Sequence, residues 1–293
     1  MRVFVTGATG FIGSATVDQL RERGHTVLGL ARNDAAAEAL ASKGVDIHRG
    51  DLTDLDSLVA GAAACDGVIH TAFVHDFSQF MANIETDRRA VAAMAAELEG
   101  TNKPLVIAAG TMMIAGLNKL GLETDSPPDP NGPRVPAETI VLTTPGVRGA
   151  IVRLAPTVHG SGDHGFVPRL VEAARRDGFA GLVGDGANRW PAVHRLDAAR
   201  VFVLGLEKAA PGSHLHAVAE EGIPMRRIVE TIAEGLGIPV RNLSPEEAGE
   251  HLGFLTMFVG TDNPVSSAIT QSTLGWTPKE IDLLADMKAH YFG

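Results

Sequence analysis

Residues 3–13 read VFVTGATGFIG: a short strand-forming run, glycines at positions 7, 10 and 13, and the first apolar positions of a helix. A chain that opens this way must turn tightly from strand into helix and leave the helix's first amides uncovered. Glycine permits the turn and the close approach of backbone to a pyrophosphate, while free N–H groups and the helix dipole favour negative charge. A glycine-rich turn with no ligand is the alternative. The strand before it and the helix after it favour a dinucleotide site formed by Gly7, Thr9, Gly10, Phe11, Ile12 and Gly13.

Downstream, short apolar runs at 3–6, 26–30, 45–50, 67–73, 104–110 and 149–154 alternate with segments of helical spacing, such as Ile12, Val17 and Leu20 before Gly24. This rhythm predicts an α/β fold, a doubly wound parallel sheet of the Rossmann type, over residues 1–155. The turn formers of 122–133 (LETDSPPDPNGP) predict a surface loop at the carboxyl edge of the sheet. Beyond 155 the pattern loosens, and residues 156–293 are expected to form a smaller, mainly helical C-terminal lobe for substrate. The stretch 195–220 is grouped with the main domain, with 213–218 (SHLHAV) a candidate return strand.

With 293 residues and 45% hydrophobic side chains the chain can bury a substantial core. Its 35 acidic against 25 basic residues leave a net charge of −10, which disfavours nucleic acid and anionic membranes as partners. The lone cysteine, Cys65, fits a reducing compartment, and no leader-like segment or membrane-length apolar run is evident, so the cytoplasm is expected. No metal-ligand spacing occurs. The expected partners are a small-molecule substrate and, at most, a second copy of the chain in a homodimer.

The run TGATGFIG, together with GDLTD at 50–54, VIHTAF at 68–73, RLAPTVHG at 153–160 and WPAVHRLDAARV at 190–201, resembles the short-chain dehydrogenase/reductase superfamily. The likeness is to its extended and atypical branch, often labelled NAD-dependent epimerase/dehydratase. The resemblance implies that Asp51 and Leu52 lie beside an adenine, that Thr71, Ala72 and Phe73 run along the cofactor, and that Pro156, Thr157 and Val158 approach the nicotinamide. Charge at the end of the second strand bears on which cofactor. The position where NAD sites carry a carboxylate for the ribose holds Arg32, which suits a 2'-phosphate. NADP is therefore expected over NAD, the alternative being that Arg32 is a surface charge and Asp34 takes the ribose.

The resemblance also implies a Ser or Thr after the fifth strand and a Tyr with a Lys four residues later. Thr111 falls on the hydroxyl position, either holding a substrate carbonyl or capping a turn. The tyrosine position is Pro130 and the lysine position Arg134, and the chain's one tyrosine is Tyr291. Proline has no ionisable group and arginine is a poor acid near neutrality, so histidines are the substitute proton donors, His159 first and His75 second. Phe73, Phe77, Met112, Met113, Trp190, Phe254, Met257 and Phe258 are candidates to line an apolar cleft. The function expected is an NADP(H)-dependent oxidoreductase acting on a small, fairly apolar carbonyl-type acceptor. The alternatives are a non-catalytic NADP(H) sensor and a nucleotide-sugar epimerase or dehydratase.

Overall fold

A computed structural model describes residues 1–74 and 76–293, with only the backbone described at Phe77. Strand and helix first alternate: β1 (Arg2–Thr6), α1 (Phe11–Glu22), β2 (Thr26–Ala31), α2 (Asp34–Ser42), β3 (Asp46–Arg49), α3 (Leu55–Ala63), β4 (Gly67–His70), α4 (Phe80–Leu98), β5 (Pro104–Gly110), α5 (Val135–Thr143) and β6 (Arg148–Leu154). The chain then forms β7 (Thr157–His159), α6 (Phe166–Asp177), β8 (Ala180–Val183) and β9 (Arg189–His194), and crosses back through α7 (Arg195–Lys208) to β10 (Ser213–Ala217). It ends in β11 (Glu220–Pro224), α8 (Met225–Leu236), β12 (Val240–Leu243), α9 (Pro245–Leu252), α10 (Thr256–Val259), α11 (Ala268–Leu274) and α12 (Leu283–His290).

The main sheet has seven strands in the order β10-β6-β5-β4-β1-β2-β3, all paired in parallel. Parallel strands covered on both faces must be apolar at every position, because successive side chains point to opposite sides. In β1, Val3 and Val5 enter the core shared with Val17, Leu20, Val201 and Phe202 of α1 and α7. Phe4 points the other way, into the core shared with Leu58, Met94 and Val141 of α3, α4 and α5. The same split recurs in β5, with Val106 on the first side and Leu105 and Ile107 on the second. The sheet is thus wound on both faces, as the alternation of strand and helix predicts.

The second lobe is mainly helical, as its sequence suggests, but it also holds short strands. Around α6, α8, α9 and α12 it carries a three-stranded sheet, β11-β9-β7, and a two-stranded one, β12-β8. These strands are three to six residues long and include Arg189, Glu220, Glu221 and Arg241, so they lack the β-branched runs that reveal a strand. The amphipathic helices are plain: α8 buries Met225, Ile228, Val229 and Ile232 and stops at Gly237, whose φ of 66° is the left-handed cap. Their apolar faces meet around Trp190, which is wholly buried. Among the described residues no helix is long and apolar enough to cross a membrane.

A buried ion pair lies inside the main domain. Arg153 on β6 is wholly buried and donates to Glu138 of α5 through Nη2 at 3.1 Å and Nε at 3.4 Å, while its Nη1 donates to the Asp125 carbonyl at 2.9 Å. Glu138 therefore ties the helix that follows the 122–133 loop to the sheet. Removing one partner of a buried pair strands the other charge, at a cost of about 3–5 kcal/mol. Glu138→Ala is expected to lose that much unfolding free energy and Glu138→Gln less. Urea denaturation of the two variants checks this, and a loss below about 1 kcal/mol for Glu138→Ala would contradict the pairing.

Candidate functional site

The strand order reverses between β1 and β4, and ligands of doubly wound sheets bind at the carboxyl edge of such a switch point. The glycine loop sits there. Gly7 has φ 70°, and a Cβ on it would come within 2.7 Å of the Ala72 amide nitrogen. A Cβ on Gly13 would overlap the Gly7 carbonyl oxygen, so only glycine lets α1 seat against the loop. Helices α2 and α3 are capped by Asn33 and Asp54 side chains, whereas α1 starts at Gly10 with no side-chain cap and no acidic residue in its first turn. Its leading amides carry no side-chain cap, the kind of helix start at which an anion is favoured.

Around the loop, the Thr71 hydroxyl donates to the Thr6 carbonyl at 2.8 Å, fixing the start of the Thr71–Phe73 segment. Asp51 accepts from the Thr53 amide and hydroxyl, each at 2.9 Å, and Leu52 is buried beneath it. Arg32 follows β2 in the open and, among the described residues, makes no side-chain hydrogen bond or ion pair. Its rival Asp34 is occupied by Arg49 at 2.6 Å. Pro156 and Val158 are half-buried, and the Thr157 hydroxyl donates to the Pro191 carbonyl. That bond turns Thr157 toward the second lobe.

In the region where the tyrosine and lysine would lie, Pro130 is exposed in a turn and Arg134 is the residue before α5. The guanidinium of Arg134 donates to the Ala108 carbonyl at 2.9 Å, pairs with Asp87 at 3.3 Å and lies 4.6 Å above the Phe73 ring. Asp87, buried on α4, also meets His70 Nε2 at 3.1 Å, and His70 Nδ1 meets the Thr6 hydroxyl at 2.6 Å. Burial pushes the Asp87 carboxyl up, but the His70 hydrogen bond and the Arg134 charge outweigh it and hold it below the usual carboxylate value. An ionised Asp87 only accepts, so a neutral His70 carries its proton on Nε2 and accepts from Thr6. The result is a chain of polar contacts from β1 to α5 that fixes a cation, not an acid, beside Phe73.

The other predicted residues are spread out. Thr111 is wholly buried at the end of β5, and its hydroxyl accepts from Asn263 Nδ2 at 2.8 Å, joining the main domain to the 261–265 segment. His159 is also buried, with Nδ1 2.9 Å from Asp286 of α12 and its ring edge-on to His194 at 5.4 Å. His75 lies outside the described residues, as does the side chain of Phe77. Among the apolar candidates Trp190 is core, Met257 is 67% exposed, and Phe258 stacks on Phe166 at 5.3 Å with Phe254 edge-on at 6.2 Å. Sequence reasoning missed Asp87, His70 and Asn263. Asp87 sits among charges in ETDRR and reads as a surface residue.

Residues 3–218 match the NAD dependent epimerase/dehydratase family. The chain belongs to this family. An uncharacterized protein of Schizosaccharomyces pombe is 50% identical over 289 residues, 98% of each chain. The 2-alkyl-3-oxoalkanoate reductase of Stenotrophomonas maltophilia is 33% identical over 256 residues, 82% of this chain and 77% of that one. The structure of the dTDP-glucose 4,6-dehydratase DesIV of Streptomyces venezuelae, with NAD and TYD bound, superposes with a TM-score of 0.78 over 99% of this chain and 96% of that one. At 22% identity that likeness is one of fold.

Within this family member, His159, His194 and His216 share one property. Burial is the largest influence on each and holds each below the ordinary histidine value of 6.5, in His159 despite the Asp286 carboxylate. The unfolded chain therefore takes up protons near pH 6.5 that the folded chain refuses, so their contribution is fully present above that pH and declines as pH falls below it. Asp163 and Glu220, raised mainly by burial, act in the opposite sense, their contribution fading as pH rises above the carboxylate range. The melting temperature should drop as pH is lowered from about 7 to 5.5. His159→Gln, which can still donate to Asp286, should flatten that slope, and melting curves across the range would show a steeper slope instead if His159 were already protonated in the fold.

Proposed function

We propose that the chain is an NADP(H)-dependent oxidoreductase that reduces a small, fairly apolar carbonyl-type acceptor without the Tyr and Lys pair. The observation that carries this reading is the placement of Arg134, held by Asp87, the Ala108 carbonyl and Phe73 and linked through Asp87 and His70 to Thr6, which leads into the glycine loop. The residues present fit a dinucleotide: the uncapped start of α1 for the pyrophosphate, and Asp51 and Leu52 for the adenosine. Unpaired Arg32 supports a 2'-phosphate, since the competing Asp34 is engaged by Arg49. The similarity to a reductase over most of both chains supports the direction of reaction.

A bound nicotinamide supplies the hydride. The chain's own residues then hold and orient. Arg134 offers a fixed positive charge near the ribose or the developing alkoxide, and it gives up no proton near neutrality. Thr111 positions the 261–265 segment through Asn263, whose Nδ2 would lose its partner in Thr111→Val. His159, buried against Asp286 and held by burial below the ordinary histidine value, has a structural task, which supports solvent as the source of the proton on the product oxygen, with His75 the alternative donor. A second reading, a non-catalytic NADP(H) sensor, is favoured by exposed Pro130 in the tyrosine position. A nucleotide-sugar epimerase or dehydratase is disfavoured by the same residue.

The cofactor reading is tested by titrating NADPH and NADH into wild type and Arg32→Ala. NADPH should bind more tightly to wild type, and the substitution should cost NADPH alone about 1.5–3 kcal/mol. Equal affinities in wild type would overturn the NADP assignment. The activity is tested by following NADPH oxidation against aldehydes, ketones, enones and imines. Turnover with an apolar member of the set, with no titration break between about pH 6 and 7, is the expected result. If no acceptor oxidises NADPH, the sensor reading replaces the reductase.

A further inference from the structure

Two side chains, one from the start of α7 and one from the second lobe, meet the residue that follows the glycine loop. Phe11 directly follows Gly10 and is the first residue of α1. The guanidinium carbon of Arg195 lies 5.2 Å from the Phe11 ring centroid, and the His164 ring stands edge-on to it at 5.8 Å. Arg195 is the first residue of α7, which packs with α1 on one face of the sheet. Space for it is made by Gly160, at φ 135°, where a Cβ would come 3.2 Å from Arg195 Cγ and 2.8 Å from His194 Nε2. One turn on, Arg200 is paired with Asp197 and Glu280. Arg195 is half-buried and, among the described residues, has no hydrogen-bond or ion-pair partner beyond the Phe11 face.

A half-buried cation in a chain of net charge −10, resting on the ring of the first residue of an uncapped helix, has no carboxylate partner among the described residues. The anion that fits is one the glycine loop also takes. We propose that Arg195 is a phosphate-binding residue that reaches from the start of α7 to the start of α1 and holds the dinucleotide's pyrophosphate there. This rests on the dinucleotide reading of the loop. A guanidinium meets phosphate oxygens with paired N–H groups, and the Phe11 ring keeps its plane and its aliphatic stem in place.

Calorimetric titration of the full chain with NADPH, ADP-ribose and adenosine 2'-monophosphate tests the assignment. Arg195→Met keeps the stem against Phe11 and removes the charge; Arg195→Lys keeps the charge. In Arg195→Met the affinities for NADPH and ADP-ribose should both fall about tenfold, with most of the loss restored in Arg195→Lys. Affinity for adenosine 2'-monophosphate, which has no pyrophosphate, should be unchanged. Unaltered ADP-ribose affinity in Arg195→Met, or an equal loss for adenosine 2'-monophosphate, overturns the Arg195 assignment alone. Failure of wild type to bind NADPH, NADH or ADP-ribose overturns the dinucleotide reading and the assignment together.

Discussion

The inner strands of the main sheet are hidden on both faces, so their side chains have nowhere to be polar except at the strand ends. Val3, Phe4 and Val5 are fully buried on alternate sides, and Val68, Ile69, Leu105 and Val106 repeat the arrangement in the neighbouring strands. Each such side chain stabilises the fold by roughly 1.5–3 kcal/mol relative to exposure, and a single inward charge would forfeit that. Thr6, His70 and Thr111 stand at or just past the carboxyl ends of β1, β4 and β5, where the backbone leaves the sheet. The chemistry of the molecule is therefore confined to one edge by the packing of its centre.

At that edge the requirement shifts from burial to pairing. Asp87 is drawn out of water by α4 and is tolerated because His70 and Arg134 meet its two oxygens. Arginine suits this place better than lysine. Its planar group can donate to a carboxylate and a carbonyl while its face rests on Phe73, and it keeps its charge. The same permanence removes it as a proton source. The electrostatic half of the usual Tyr and Lys arrangement is thus present without the acidic half.

Among the described residues, Tyr291 and His159 have structural tasks away from Arg134. The Tyr291 hydroxyl donates to Asp163 at 2.6 Å, and burial followed by the Asp163 charge raises its pKa well above that of a free phenol. His159 meets Asp286 on α12, which His290 also contacts at 2.6 Å. Together these contacts hold the last helix to the 160–165 loop, and that loop carries His164 to Phe11. The C-terminal helix is in this way joined to the glycine loop through two polar contacts and one ring contact.

From the sequence by itself came the doubly wound sheet, the glycine loop, the family and the loss of the Tyr and Lys pair. Each is written in local order, as a short apolar run, a period of 3.6 residues, a glycine where a side chain would collide, or a residue type at a fixed offset. The short strands β7, β8, β9, β11 and β12 escaped notice because their pairing is made between distant segments and their own residues are too mixed to show it. Asp87 with Arg134, Thr111 with Asn263, His159 with Asp286 and Arg195 with Phe11 are separated by 47 to 184 residues, and the sequence holds no trace of these pairings. Only the tertiary structure decided them, because whether a charge or a hydroxyl is buried, paired or left open depends on what folding brings against it.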